Sequence, residues 1–366
     1  MLANKWVVVR RQPLKIASMT YKFSLKEIAF QSGLSLATVD RALHGRAHVS
    51  AQSARRVQAA KVELGEQEGQ LSARGRRILV DIVVEAPRRF SDELRHAVLR
   101  VLPGFSPAVI RPRYHFSENI DPVKTVNFLA RIASRGSQGI ILKAQNVMAI
   151  RAEIARLLVL KIPVVTAFTD CPGSGRLAYV GLNNENAGRT AAYLFAQKLQ
   201  GRAGTVLTTT SRNQFQGEQT RAMAFAGEMA RLCPKVGLID ASGGAGLALA
   251  TAAKITAEVQ GLDQLLGVYS MGGGNAAILA ALSALNLQPD LFIAHDLDRE
   301  NRQLLSQGKL DFVLHHDLSA DITKLFNILL HFIGLDRLGL RGVQLMCKLL
   351  HLPIVLSIKM QHPCAD

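Results

Sequence analysis

The chain has 366 residues, 48% hydrophobic and only 5% aromatic, and a net charge of +16. That is more apolar material than a disordered chain carries and more length than one small domain uses, so two or three packed domains are expected. The four cysteines (Cys171, Cys233, Cys347, Cys364) are scattered without a C-x-x-C pair, which argues against a disulfide frame or zinc site and for a reducing compartment. The apolar patch Trp6–Val9 is cut short by Arg10 and Arg11, too soon for a signal-peptide core, and no apolar run reaches membrane-spanning length. The expected location is the cytoplasm, with no membrane partner and no cofactor.

The positive charge is concentrated at one end: residues 1–77 hold fourteen Lys and Arg against five Asp and Glu, or +9 of the excess. Such an end is the electrostatic footprint of a phosphate-backbone binder. Residues 1–23 show no regular pattern and are expected to be a disordered extension. From 24 to 64 the pattern is three short helices. Ser24 caps the first, Glu27 closes a capping box, and Leu25, Ile28 and Ala29 form its apolar stripe. Gly33 supplies a turn. Ser35 caps a second helix over 36–43, with Val39 and Leu43 facing inward, and His44-Gly45 ends it. Ser50 caps a third, buried through Val57, Ala60 and Leu64.

The pieces L-K-E-I-A (25–29), S-G-L-S (32–35), T-V-D-R-A-L (38–43) and H-V-S (48–50) come in an order that resembles the helix-turn-helix module of the lactose-repressor/galactose-repressor family of transcriptional regulators. The resemblance implies double-stranded operator DNA as a partner and a homodimer. It puts Leu36, Ala37 and Thr38 at the start of the second helix in the major groove, with Arg41 one turn on reaching a base edge or phosphate. Ser24, Ser35, His48 and Ser50 are then placed to hold phosphates, which sets register without reading sequence. Residues 65–77 form the expected joint. In the family this joint is a helix that wedges a Leu into the minor groove; here its glycines and missing Pro disfavour a helix, and Leu71 is the wedge candidate.

From 78 to 366 the expected architecture is α/β, a two-lobed core of doubly wound parallel sheets. Near-continuous apolar strands at 78–84, 139–144, 163–168, 205–210, 265–271, 291–296 and 311–316 alternate with helical stretches at 122–135, 185–199, 216–231, 246–259, 274–285 and 298–307. The markers P-V-V-T-A-F-T-D (163–170), A-Y-V-G-L-N-N-E-N-A-G (178–188), R-x-x-x-F (221–225), M-G-G-G-N (271–275) and A-H-D-L-D-x-E-N-R (294–302) are similar to the periplasmic sugar-binding-protein core of the same regulators. That resemblance implies a small sugar or sugar-like effector at the carboxyl ends of the strands. The ligand candidates there are Phe90, Ser91, Asp170, Asn183, Asn184, Arg221, Asn275, Asp296 and Asp317. Arg221, a forked donor, and Asp296, an acceptor for vicinal hydroxyls, lead them. Relatives often carry Asp where Asn183 stands. The match weakens after Asp321; residues 322–350 look divergent and apolar enough for a subunit contact, and 353–360 can be a last strand.

The expected function is therefore a DNA-binding regulator, a repressor, controlled by that effector. A receptor-like sugar binder without regulatory DNA contact and an effector-independent DNA-binding protein are the alternatives. An enzyme built on His295, His315, His316 and Asp317 is disfavoured, because adjacent histidines on a strand face opposite ways, and neither glycine cluster (243–246, 272–274) has the setting of a phosphate loop.

Overall fold

The structure is a computed structural model that describes residues 23–73, 77–106, 108–211, 214–335 and 355–358. The extension expected over 1–23 lies, but for Phe23, outside the described residues. The chain divides into two compact units, Met1–Leu71 and Ser72–Asp366.

The first unit is three helices, α1 (Leu25–Ser32), α2 (Leu36–Leu43) and α3 (Ala51–Ala73). The Ser24 hydroxyl accepts from the Glu27 amide at 3.2 Å while the Glu27 carboxylate accepts from the Ser24 amide at 2.7 Å, completing the capping box. Those hydrogen bonds hold the Glu27 carboxyl below its ordinary range. Gly33 ends α1 at φ 64°, where a side chain would be strained and would also meet the Arg56 guanidinium. Ile28, Ala29, Val39, Val57 and Ala60 form a small core rimmed by Leu25, Leu43 and Leu64. Helix α3 does not stop near 64 but continues through Gly65 and Gly69 to Ala73. Its polar, charged tail contains no proline, and glycine's roughly 1 kcal/mol penalty per residue is too small to break a helix already nucleated by its packed first half.

The second unit holds two sheets. The first lobe is built from β1 (Arg77–Glu85), α4 (Arg88–Val101), β2 (Val109–Ser117), α5 (Pro122–Arg135), β3 (Gly139–Lys143), α6 (Met148–Val159), β4 (Val164–Ala167) and β5 (Ala178–Val180), with all-parallel strand order β2-β1-β3-β4-β5. The chain then crosses into α7 (Asn184–Leu199), β6 (Gly204–Thr209), α8 (Gln216–Leu232), β7 (Val236–Asp240), α9 (Ala248–Val259), β8 (Gly267–Ser270), α10 (Asn275–Ala284), β9 (Phe292–His295), α11 (Arg299–Ser306) and β10 (Phe312–His315). Helix α12 (Leu318–Phe332) returns to the first lobe, and β11 (Val355–Ile358) adds an antiparallel edge to the second sheet, whose order is β11-β10-β9-β8-β6-β7.

Central strands such as β4, β8 and β9 are buried at every position, as parallel strands covered on both faces must be. Each lobe accordingly has two cores, one per face of its sheet. The stretch beginning at 322 is not a subunit face: Ile322, Leu325, Phe326, Leu329 and Leu330 recur at helical spacing and fill the first lobe's core against α4. The rest of the divergent segment, from 336 to 350, lies outside the described residues.

Helices α7 and α8 pack so closely that a Cβ at Gly188 would sit 2.3 Å from the Arg221 carbonyl oxygen and 2.8 Å from the Phe225 amide nitrogen. Both contacts are backbone, so the helices must part to admit a methyl group. Gly188→Ala is expected to destabilise the unit by about 1–3 kcal/mol; a thermal melt at or above the wild-type midpoint would show that the two helices can separate freely.

Candidate functional site

The carboxyl ends of both sheets meet across a cavity inside the second unit. The first lobe presents Phe90 at the start of α4, Lys143 at the end of β3, and Phe168 and Thr169 after β4; the second presents Arg221, His295, Asp296 and His316. The cavity leaves about 70 Å³ for water centres. That is several times the roughly 10–15 Å³ that a single water needs, so the cavity has room for more than one water or a small ligand.

Three wall residues, Phe168 (φ 64°), Ala245 (φ 54°) and Asp296 (φ 65°), hold left-handed backbone without being glycine. Such strain persists where surrounding contacts over-determine it. At Asp296 the contacts are visible: the Asn301 side-chain amide donates to the carbonyls of His295 (2.9 Å) and Asp296 (2.7 Å), and Asn301 accepts in turn from Asn275 at 2.7 Å. The Asp296 carboxylate is thereby held toward the cavity. Phe90 and Phe168 meet edge to face, centroids 5.1 Å apart, and form an apolar wall.

Arg221 is nearly buried. Its Nη2 and Nε donate to the Asn184 carboxamide oxygen at 2.8 and 3.2 Å, and its Nη1 to the Met271 carbonyl at 3.4 Å. Lys143 donates to the Glu85 carbonyl at 2.7 Å with its ammonium 4.0 Å from the centre of the Phe215 ring; burial lowers its pKa, against the pull of Glu218 and Glu85. Burial raises the Glu218 carboxyl, which accepts from both the amide and hydroxyl of Ser211. Asp298 caps α11 and sits 3.2 Å from Arg89; burial outweighs these partners and pushes its carboxyl up to about 6.

Of the ligand candidates named from sequence, Phe90, Arg221 and Asp296 line this cavity. Asn184 and Asn275 stand behind it and aim Arg221 and Asn301. The others are engaged elsewhere. Asp170 is clamped by Arg176, the Thr166 hydroxyl and the Cys171 amide. Asn183 caps α7 through the Asn186 amide, and Asp317 caps α12 through the amides of Ser319 and Ala320. Ser91 is buried within α4, off the cavity wall. Sequence reasoning passed over Lys143 and Asp298, and considered His295 and His316 only for a disfavoured enzyme, not as ligand residues; only a polar residue at the end of an apolar strand signalled any of them.

In the first unit, Leu36 and Ala37 are exposed and Thr38 and Arg41 half-buried. The Ser35 hydroxyl accepts from the Thr38 amide at 3.2 Å, Arg41 Nε donates to the Ala37 carbonyl at 3.1 Å, and the Ser50 hydroxyl accepts from the Ser53 amide at 3.1 Å. Asp40 pairs with Arg46 at 2.9 Å rather than with Arg41. His48 is exposed at φ 67°. Leu71 falls within α3, and its side chain lies outside the described residues.

Residues 109–320 match the model of the periplasmic binding protein domain. No curated protein sequence matches the chain. Among solved structures, a glucose-galactose binding protein from Geobacillus stearothermophilus superposes with a TM-score of 0.66 at 16% identity, covering 78% of this chain and 98% of its own. A solute binding protein from Burkholderia graminis C4D1M in complex with D-arabinose gives 0.65 at 18%, covering 78% and 96%. A protein from Bacteroides fragilis named as a LacI transcriptional regulator gives 0.64 at 14%, covering 77% and 96%. Among the described residues no helix is long and apolar enough to cross a membrane.

His316 follows β10 and contacts both lobes: its Nδ1 bonds the fully buried Asp321 of α12, and its Nε2 lies 3.8 Å from Asp296. Burial opposes its imidazolium, but the Asp321 bond and charge, with Asp296 behind, outweigh burial and raise its pKa; Arg221 works against them. A raised folded pKa means the ion pair's stabilisation is full below the unfolded value near 6.5 and is lost as pH rises through the folded value. His316→Gln is therefore expected to destabilise the unit more at pH 5.5 than at pH 9. A gap between the two melting curves that is flat with pH would remove the charge from the account.

Proposed function

Because the chain belongs to the periplasmic binding protein domain family, we propose that it binds a single-ring sugar or sugar-like effector in this cavity and couples occupancy to operator DNA held by α1–α3, as a repressor of the lactose-repressor/galactose-repressor type. The observation that carries the reading is the joining, in one chain, of the polar-ended interlobe cavity to three capped helices whose second member starts with exposed Leu36 and Ala37. Arg221 and Asp296 hold vicinal hydroxyls as donor and acceptor, Phe90 and Phe168 cover the ring's apolar face, and the residual water is displaced. On DNA, Leu36 and Ala37 meet thymine methyls, Thr38 and Arg41 reach base edges or phosphates, and Ser24, Ser35, His48 and Ser50 set the register. The working form is a homodimer in the cytoplasm, because one such module covers only a half-site. The second reading, a sugar-binding protein without regulatory DNA contact, is favoured by the solved neighbours named as sugar binders.

Selection from random duplexes is expected to enrich two-fold symmetric operators whose affinity falls steeply with salt. Thr38→Ala and Arg41→Ala should each weaken the selected site by about 1–3 kcal/mol. No enrichment, together with intact sugar binding, would leave the second reading standing.

Replacing Arg221 or Asp296 with Ala should leave operator affinity near wild type and abolish the response to sugar, with ligand affinity down by about 2–3 kcal/mol. Paired calorimetry and operator titration check this. Wild-type sugar affinity in both variants would move the ligand away from these side chains.

A further inference from the structure

We propose that His295 is a ligand-binding residue, whose Nδ1–H donates to a hydroxyl of the bound sugar and so helps decide which sugar the cavity accepts. The inference rests on the sugar reading above and adds to it a contact at His295, one of the residues that line the cavity.

His295 closes β9, lines the cavity and is 1% exposed. Its Nε2 lies 2.8 Å from the Tyr269 hydroxyl, while its Nδ1 is buried with no partner among the described residues. Tyr269 is itself fully buried, and its ring is fixed against Phe225 with centroids 4.5 Å apart. Burial, with Arg221 and His316 close by, holds the imidazole well below its ordinary pKa, and burial pushes the Tyr269 phenol up. Both groups are neutral, so the proton between them has two possible homes.

If Tyr269 accepted from Nε2–H, its own hydroxyl proton and the Nδ1 lone pair would both be buried without partners. If Tyr269 donates to Nε2, only Nδ1–H is left over. A buried orphan costs about 1–3 kcal/mol, so the second arrangement prevails and a residue that lines the cavity keeps a buried, unpartnered Nδ1–H donor. The next residue, Asp296, offers a carboxylate, which only accepts. A donor and an acceptor on consecutive residues are met together by hydroxyls, which do both. An ether or ketone oxygen satisfies only His295, and an ammonium group satisfies only Asp296. The chemistry selected is a vicinal diol on one ring, of the size the cavity admits.

The test uses the full chain and its His295→Gln and His295→Asn variants, titrated calorimetrically with D-arabinose, D-galactose, D-xylose, D-allose and D-fructose. Gln places its amide where Nε2 stood and leaves nothing at Nδ1. Asn places its amide where Nδ1 stood and releases Tyr269. The expected result is a loss of about ten- to a hundredfold in the Gln variant and less than about fivefold in the Asn variant. Full affinity in the Gln variant, or equal losses in both, overturns the role of His295 while leaving the sugar reading intact. Failure of every sugar to bind the unaltered chain overturns the sugar reading, and this subsite with it. Nitrogen-15 spectra of histidine-labelled, unaltered protein provide a check that needs no variant to fold: an Nδ1–H tautomer at His295 that shifts on adding sugar is expected, and an Nε2–H tautomer overturns the proposal.

Discussion

A parallel sheet buried on both faces has no wall on which a polar side chain can meet water, and this constraint organises the larger unit. Strands β4, β8 and β9 are buried at every position, so most polar groups are pushed to where the strands end. Because the strands run parallel, those ends collect at one edge of each sheet. Two such edges facing each other produce the cavity without any residue being chosen for it. Choice enters at the strand ends and in the loops and helices that follow them, and there the backbone departs from easy geometry at Phe168, Ala245 and Asp296.

Groups that converge in this way must be held against their own desolvation. Lys143 has a carbonyl, an aromatic face and the side chains of Glu85 and Glu218 around it, which oppose the lowering of its pKa by burial. Arg221 is aimed by Asn184, which is itself tied to Tyr179 and the Leu182 carbonyl. Asn301 secures two successive carbonyls at the Asp296 bend. At Arg221 and Asp296 the support is a neutral amide beside a charge, a pairing that steadies geometry while leaving the charge available to a ligand. The second-lobe wall is thus preorganised, and the ordering penalty that a loose site would impose on binding is largely met in folding.

What the sequence disclosed follows the same physics. Central strands showed as unbroken apolar runs, and α5 appeared at its observed bounds because its stripe and the Asp121-Pro122 start coincide. The edge strands β2 and β7 went unseen: β2 does alternate apolar and polar residues from Ile110 to Ser117, but Pro112 within the run and the charges or imidazoles at 111, 113 and 115 set it apart from the unbroken apolar runs of the central strands. Caps were legible locally, as at Ser24 and Ser35, since donor and acceptor lie three residues apart. Asp170, by contrast, resembled a ligand residue until Arg176 was seen to occupy it. Asn184 is a further case, because its partner Arg221 is 37 residues away and only the close α7–α8 approach at Gly188 brings them together. His295 entered the sequence reading only as a disfavoured catalytic group, because neither its burial nor its partnerless Nδ1 can be read from the residue order.

The two lobes are also joined directly beside the cavity. Arg89 and Glu93 stand one turn apart on α4, and Asp298 and Arg302 stand one turn apart at the start of α11; Arg89 pairs with Asp298 and Glu93 with Arg302. The charge order is reversed between the helices, so sliding α4 by one turn would set like charges together. Closure is therefore tied to a single register. These pairs favour the observed arrangement of the lobes by themselves, so a ligand can shift the lobes only by the affinity it adds beyond them. The partly exposed Arg302–Glu93 pair is weakened by solvent and contributes little. The Arg89–Asp298 pair is more deeply buried, and the elevated Asp298 carboxyl shows that its ion pair does not fully repay desolvation. A latch so weakly favourable leaves the arrangement of the lobes within reach of the hydrogen bonds that one small ligand can make.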